Sequence, residues 1–105
     1  MQYNDFINWL NDYLSEEQHF VTIGGQSHFH AIMENRWMLF TSSTERRHRL
    51  KRVDFRRVFN RYVNAGQQNR HKASYYTRDI WGHPPNLTTP PWMAAIIRYY
   101  EENIL

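Results

Sequence analysis

The first segment of the chain repeats apolar residues with a helical period. In "YNDFINWLNDYLSEE" they recur three and four positions apart, which places them on one face of a helix. These positions are Phe6, Trp9, Leu10, Tyr13 and Leu14. Asn4 or Asp5 just before them is of the type that caps a helix N-terminus. An amphipathic helix is therefore predicted at the start.

The pattern then changes to short apolar-rich runs that are typical of strands. "HFVTIGG" and "SHFHAIMEN" are separated at Gly24-Gly25, and "RWMLFTSS" follows a polar turn at Glu34-Asn35. These runs predict three antiparallel strands. A fourth strand is predicted in "RHRLKRV", where two-residue alternation puts Arg47, Arg49 and Lys51 on one face.

A second amphipathic helix is predicted in "DFRRVFNRY". Asp54 is a suitable N-cap, Val53 and Val58 stand at the positions of a hydrophobic staple, and Gly66 lies where a C-terminal cap often occurs. One side carries Phe55, Val58, Phe59 and Tyr62, and the other carries Arg56, Arg57, Asn60 and Arg61. The outward face of this helix is expected to be basic.

The C-terminal part predicts one further strand and one further helix. "SYYTRDI" is a candidate strand, whereas the prolines of "WGHPPNLTTPP" are incompatible with regular structure. The last helix is expected to start with Thr89 as N-cap and Pro90 in the first turn. The whole order predicts a single small α+β domain over 1–105, with helices packed on one face of an antiparallel sheet of three to five strands. A winged-helix arrangement is the alternative.

Composition fits one folded domain and excludes several classes of protein. The chain has 105 residues, of which 41% are hydrophobic, and it has no cysteine, which rules out disulfides and thiolate metal sites. No run approaches the roughly 20 apolar residues needed to cross a bilayer, and "MQYNDF" lacks the features of a signal peptide. A cytoplasmic protein without a membrane partner is expected.

The positive charge is concentrated in one segment. The formal net charge is +3, but residues 45–61 alone hold eight of the thirteen basic residues and only two acids. The eight are Arg46, Arg47, Arg49, Lys51, Arg52, Arg56, Arg57 and Arg61. Arginine binds phosphate and carboxylate in a bidentate manner, so we expect contact with nucleic acid or another acidic partner. The alternatives are a merely solvated helix face and neutralisation by the acidic N-terminal part.

Aromatic residues near these cations would favour RNA or single-stranded nucleic acid, because rings on a sheet offer stacking surfaces. The candidates are Phe29, Trp37, Phe40, Tyr75, Tyr76 and Trp81. Most of them are expected in the core, whereas the turn-rich surroundings of Trp81 predict exposure.

The histidines suggest a metal site that lacks a complete ligand set. His28 and His30 are expected on the same face of a strand, and His19 on the next strand is able to join them around zinc. No fourth ligand is evident, so no metal and no cofactor are predicted. His83 with Asp79 is a weak acid–base pair, and the serines at 42 and 43 lack the glycines of a nucleophile turn. An enzyme is not favoured.

The last helix is apolar on more than one side. Its large side chains include Trp92, Ile96, Ile97, Tyr99 and Tyr100. Either the helix lies deep in the domain, or its second face forms a homodimer or lines a ligand pocket. We expect the homodimer.

"LKRVDFRRVFNRY", "SYYTRDIW" and "PPWMAAIIRYY" together resemble small orphan proteins of mobile elements, such as those of integron gene cassettes and restriction-system accessories. The resemblance implies no particular activity. The prediction from the sequence is a small binding protein that contacts nucleic acid or another anion. The alternative is a homodimeric ligand-binding or protein-interaction module with no nucleic-acid role.

Overall fold

The computed structural model describes residues 1–77 and 89–105, and these residues form an α+β fold around one hydrophobic core. In chain order the elements are α1 (Tyr3–Tyr13), β1 (Gln18–Val21), β2 (His28–Met33), β3 (Trp37–Ser42), β4 (Arg47–Lys51), α2 (Arg52–Asn64), α3 (Gln67–Arg70), a 3₁₀ helix (Ala73–Tyr76) and α4 (Thr89–Asn103). The predicted fold class is thereby confirmed.

Helix α1 has the predicted apolar face but not the predicted cap. Phe6 and Leu10 are buried, as the helical spacing requires. The helix begins before Asn4 and Asp5, and Gln2 occupies the cap position without a side-chain hydrogen bond. Asp5 instead lies in the first turn, where its negative charge interacts favourably with the helix dipole.

The four strands form an antiparallel meander in the order β1-β2-β3-β4. The predicted fourth strand is therefore confirmed, including the common face of its three basic residues. Gly25 has a φ of 74° in the turn between β1 and β2, a conformation that glycine adopts without steric cost. Glu45 in the turn before β4 has a φ of 64°.

The two faces of the sheet have different environments because successive side chains point in opposite directions. The inner face is buried and comprises Phe20, Phe29, Ala31, Met38, Phe40 and Leu50. Helices α2 and α4 pack on this face, as predicted. For example, the ring of Trp92 in α4 stacks on Phe29 with centroids 5.0 Å apart.

Helix α2 follows β4 without a loop, and this continuity overturns two predictions. The helix begins at Arg52, so Asp54 lies inside the first turn and is not the N-cap. Val53 is 76% exposed while Val58 is fully buried, so the predicted hydrophobic staple does not form. The N-cap position is Lys51, three residues earlier than the residue types indicated.

The end of α2 does not use the glycine cap that its sequence suggests. Gly66 has a φ of −67°, outside the left-handed region, and it precedes α3. The side chain of Arg70 supplies donors instead: its Nε donates to the carbonyl of Tyr62 at 3.2 Å, and its Nη1 lies 3.5 Å from Oε2 of Glu101 in α4. Arg70 therefore connects the end of α2 to the last helix.

The strand predicted in "SYYTRDI" is wrong for the residues that the structure describes. The segment Ala73–Tyr76 is a 3₁₀ helix, and Tyr76 is fully buried, its hydroxyl donating to the carbonyl of Arg70. This local hydrogen bond and the burial of one ring favour a compact turn over an extended chain. The predictions for Asp79, Trp81 and His83, and most of the irregular proline segment, lie outside the described residues.

Helix α4 lies deep in the domain, which explains its apolar surface. Ile96 and Ile97 are fully buried and Tyr100 is 4% exposed, because α4 packs against the sheet and α2 and makes aromatic contacts with α1. Trp92 and Tyr99 are half-buried against the same core. The reason for expecting a dimer through these residues is therefore wrong, while self-association itself stays a prediction. The cap at Thr89 adjoins undescribed residues and also stays a prediction.

Candidate functional site

The open face of the sheet, opposite the helices, carries an unusual set of side chains. By strand it comprises His19 and Val21, His28, His30 and Ile32, Trp37, Leu39 and Thr41, and Arg47, Arg49 and Lys51. Each of these is exposed or half-exposed. Imidazoles occupy the β1–β2 side and cations occupy β4, with apolar and aromatic groups between them.

Trp37 forms the centre of the basic side of this face. It lies directly opposite Lys51, and Arg49 stands two residues before Lys51 on the same strand. The Nζ of Lys51 and the Cζ of Arg49 each lie 5.8 Å from the centre of the indole ring. Because both cations come from β4, they flank Trp37 from one side of β3. A half-exposed ring next to two cations offers stacking and charge in one place.

Ile32 and Leu39 extend this surface toward the middle of the sheet. They are direct cross-strand partners, and Leu39 also pairs with Arg49. Both are half-exposed. Val21 at the far side is 46% exposed, so apolar groups reach across the open face.

The three histidines lie together, as the strand alternation predicted. The His19 ring lies 4.9 Å from that of His28 and 5.0 Å from that of His30, measured between centroids. Nδ1 of His30 is 3.6 Å from a carboxylate oxygen of Glu17. Within residues 1–77 and 89–105, no three potential ligands are arranged to hold a metal ion.

The arginines of α2 lie apart from the open face, since α2 packs against the inner side of the sheet. Arg56 lies over the ring of Tyr3, with its Cζ 5.2 Å from the ring centre. Nη1 of Arg57 is 3.6 Å from Oδ1 of Asp54. Both arginines therefore have contacts within the protein.

Arg61 makes the closest of these contacts. Its Nε donates to the backbone carbonyl of Tyr75 at 3.1 Å, and its Cζ lies 4.0 Å from the centre of the Tyr75 ring. With Asn60 and Asn64 these groups line a shallow groove of about 390 Å³. Arg61 thus helps to hold the 3₁₀ helix against α2.

The two remaining basic residues occupy junctions. Arg46 lies in the exposed turn between β3 and β4, and its amide donates to the hydroxyl of Ser42 at 3.0 Å. Arg52 begins α2, and its Nη2 donates to Oδ1 of Asn11 in α1. The basic segment that is continuous in sequence is therefore divided between two layers of the structure.

The aromatic candidates separate in the same way. Phe29 and Phe40 belong to the core, whereas Trp37 lies on the open face. The two-residue alternation of β3 distinguishes them in the sequence, because Trp37 points to the face opposite that of the buried Met38 and Phe40. Sequence reasoning missed the cleft beside Trp37, which adds Glu34, Asn35 and Arg36 to the site.

Comparison with models of protein families, with curated proteins and with solved structures finds no match to this chain. The functional interpretation therefore rests on the side chains of the open face. In the described part of the chain, none of the helices combines the length and the apolarity that crossing a membrane requires.

Proposed function

We propose that this protein binds single-stranded nucleic acid on the open face of its sheet. The observation that carries the proposal is the cluster formed by Trp37, Arg49 and Lys51. Stacking of a base on an indole contributes about 1–3 kcal/mol, and cations beside the ring neutralise the adjacent phosphates. Arg47 continues the basic row along β4.

A single strand fits this surface better than a duplex. The bases of a duplex are stacked on one another, and their faces are inaccessible to Trp37. The open face also carries half-exposed Ile32 and Leu39, which offer apolar contact to an unstacked base. In a duplex the outward surface is the charged backbone, which gains nothing from these groups.

The test compares two variants that remove the same charge from different layers. The strand variant replaces Arg47, Arg49 and Lys51 by Gln, and the helix variant replaces Arg56, Arg57 and Arg61 by Gln. Each variant loses three positive charges, so a difference in affinity between them shows which layer of the structure contacts the nucleic acid. Circular dichroism and thermal unfolding establish that both variants are folded.

Binding is measured by fluorescence anisotropy, with a labelled twelve-nucleotide single strand and the matching duplex at several salt concentrations. For the single strand, each phosphate contact contributes about 0.7 to the slope of log affinity against log salt. We expect the strand variant to lower this slope by up to about two units and the helix variant to leave it near that of the wild type.

Trp37 provides an independent arm of the test. Trp37→Ala should weaken single-strand binding by about 5- to 150-fold, the equivalent of one stacked base. Trp37→Phe keeps a ring and should retain most of the affinity. Equal losses in the strand and helix variants, or a wild type that binds neither probe at low salt, would refute the proposal. The alternative of a ligand-binding or protein-interaction module would then replace it.

A further inference from the structure

A cleft adjoins Trp37 at the turn between β2 and β3. Its volume is about 630 Å³, and its lining comprises Glu34, Asn35, Arg36, Trp37 and Arg49. The amide of Glu34 donates to the carbonyl of Trp37 at 2.9 Å, and the amide of Trp37 donates back at 3.4 Å. This pair of hydrogen bonds closes the hairpin and fixes the carboxylate-bearing residue next to the indole.

The carboxylate is the unexpected member of this cleft. A surface that binds phosphates through cations alone has no use for a negative charge beside its stacking ring. An exposed carboxylate there repels the phosphates of a bound strand, and hydrogen bonds that it accepts from a base offset this repulsion and add specificity. A carboxylate has two acceptor oxygens and no donor.

Only one common base presents two adjacent donors to such a group. Guanine offers N1–H and its 2-amino group side by side on the Watson–Crick edge. Adenine and cytosine present one amino group next to an acceptor nitrogen, and uracil presents one N–H between two carbonyl oxygens. The uracil oxygens repel a carboxylate, so Glu34 discriminates most strongly in favour of guanine.

We infer that this cleft is a guanine subsite, in which the base stacks on Trp37 and its edge donates two hydrogen bonds to Glu34. Arg49 is placed to bind the phosphate of the same nucleotide. The inference rests on the proposed function, because the guanine enters the cleft as part of a single strand. Glu34 is then the residue that determines specificity, while the cations of β4 supply affinity.

The experiment uses uridine octamers that differ at one central position. The octamers contain guanosine, inosine, adenosine or uridine there, and inosine differs from guanosine only by lacking the 2-amino group. The wild type should bind the guanosine octamer about tenfold more tightly than the inosine or uridine octamer, the value of one good bidentate contact. Affinity is measured by competition against a labelled octamer.

Glu34→Gln should abolish this discrimination and raise the affinity for the uridine octamer, because one negative charge that repels the phosphates is removed. The matched control is Glu45→Gln, which removes the same charge from the exposed turn before β4. It should retain the guanosine preference. A tenfold preference that is lost only in Glu34→Gln supports the subsite.

The outcomes separate the two proposals. Binding of all four octamers with equal affinity, or a guanosine preference that survives Glu34→Gln, would overturn the guanine subsite and leave binding on the open face intact. No binding of any octamer at low salt would overturn both.

Discussion

Replacing Arg70 should destabilise the fold, because its side chain contacts the end of α2 and the last helix. The Nε donates to the carbonyl of Tyr62 at 3.2 Å, and Nη2 donates to those of Val63 and Ala65 at 3.4 and 3.5 Å. Nη1 lies 3.5 Å from Glu101. Carbonyls at a helix C-terminus lack donors within the helix, so without this side chain their only remaining donors are water molecules.

The size of the effect follows from these distances. The bond to Tyr62 is the shortest and is worth about 1.5 kcal/mol, the low end for a hydrogen bond from a charged donor. The longer contacts add about 0.5–1 kcal/mol together, because the side chains of Arg70 and Glu101 are 25% and 33% exposed and water screens them. Arg70→Ala should therefore lower the free energy of unfolding by about 2 kcal/mol. In a domain of this size that corresponds to a fall in Tm of about 10 °C.

Urea denaturation followed by circular dichroism measures this change. Arg70→Lys keeps the charge but lacks the planar fork, so we expect it to lose about 1 kcal/mol. The control is Lys72→Ala, an exposed position two residues further along, which should stay within about 0.5 kcal/mol of the wild type. If Arg70→Ala also stays within that limit, Arg70 does not hold the end of α2.

Two further predictions concern the core. Ile97→Glu should leave the protein unfolded by circular dichroism, because it places a charge at a fully buried position. The control Ile104→Glu, at a site 47% exposed, should remain folded. A folded Ile97→Glu monomer would instead support the hypothesis of a dimer interface at Ile97. Burial raises the pKa of Tyr62 and Tyr76 above the ordinary value of 10.0, so the unfolded chain ionises first and stability should fall as the pH rises above 10.0. Replacing both tyrosines by Phe should make urea denaturation less sensitive to pH in that range, and an unchanged sensitivity would contradict this assignment.

The fold was predictable because the burial patterns of α1, α2 and the strands have a clear period. Phe55, Val58, Phe59 and Tyr62 are all buried on one face of α2, as their spacing requires. The two-residue alternation of β4 likewise put its basic residues on one face. Both patterns follow from elementary backbone geometry, which does not depend on distant parts of the chain.

Element boundaries were less predictable because local residue types compete with continuity of the chain. Asp54 is a good cap by its chemistry, yet β4 ends at Lys51 and α2 starts directly after it. The cap prediction at Gly66 is wrong for a related reason: the side chain of Arg70 in α3 donates to the carbonyls that the backbone amides of a glycine cap would otherwise bind. Contacts of this kind between elements leave no mark in the local sequence.

The candidate site was only partly predictable, since a continuous run of charge does not imply a continuous surface. The basic segment crosses from a strand to a helix, and the period of its side-chain directions changes from 2 to 3.6 at that point. Arg49 and Arg56 therefore project from different layers although they are seven residues apart. Neither the charge density nor the residue types locate this division. It depends on where the strand ends.

The proposed ligand, a polyanion with planar groups, would use the open face more fully than a purely charged or purely apolar partner. Trp37, Leu39 and Ile32 leave apolar surface in contact with water, which weakens solubility unless charged groups surround it. The cations of β4 supply that charge, and in the proposed complex they also neutralise phosphates. The arginines of α2 already contact Tyr3, Tyr75 and Asp54 within the chain, so part of their interaction capacity serves the fold. An anionic partner with stacking bases uses the ring and the cations of the open face together, and this requirement for both groups is what the strand, helix and Trp37 variants separate.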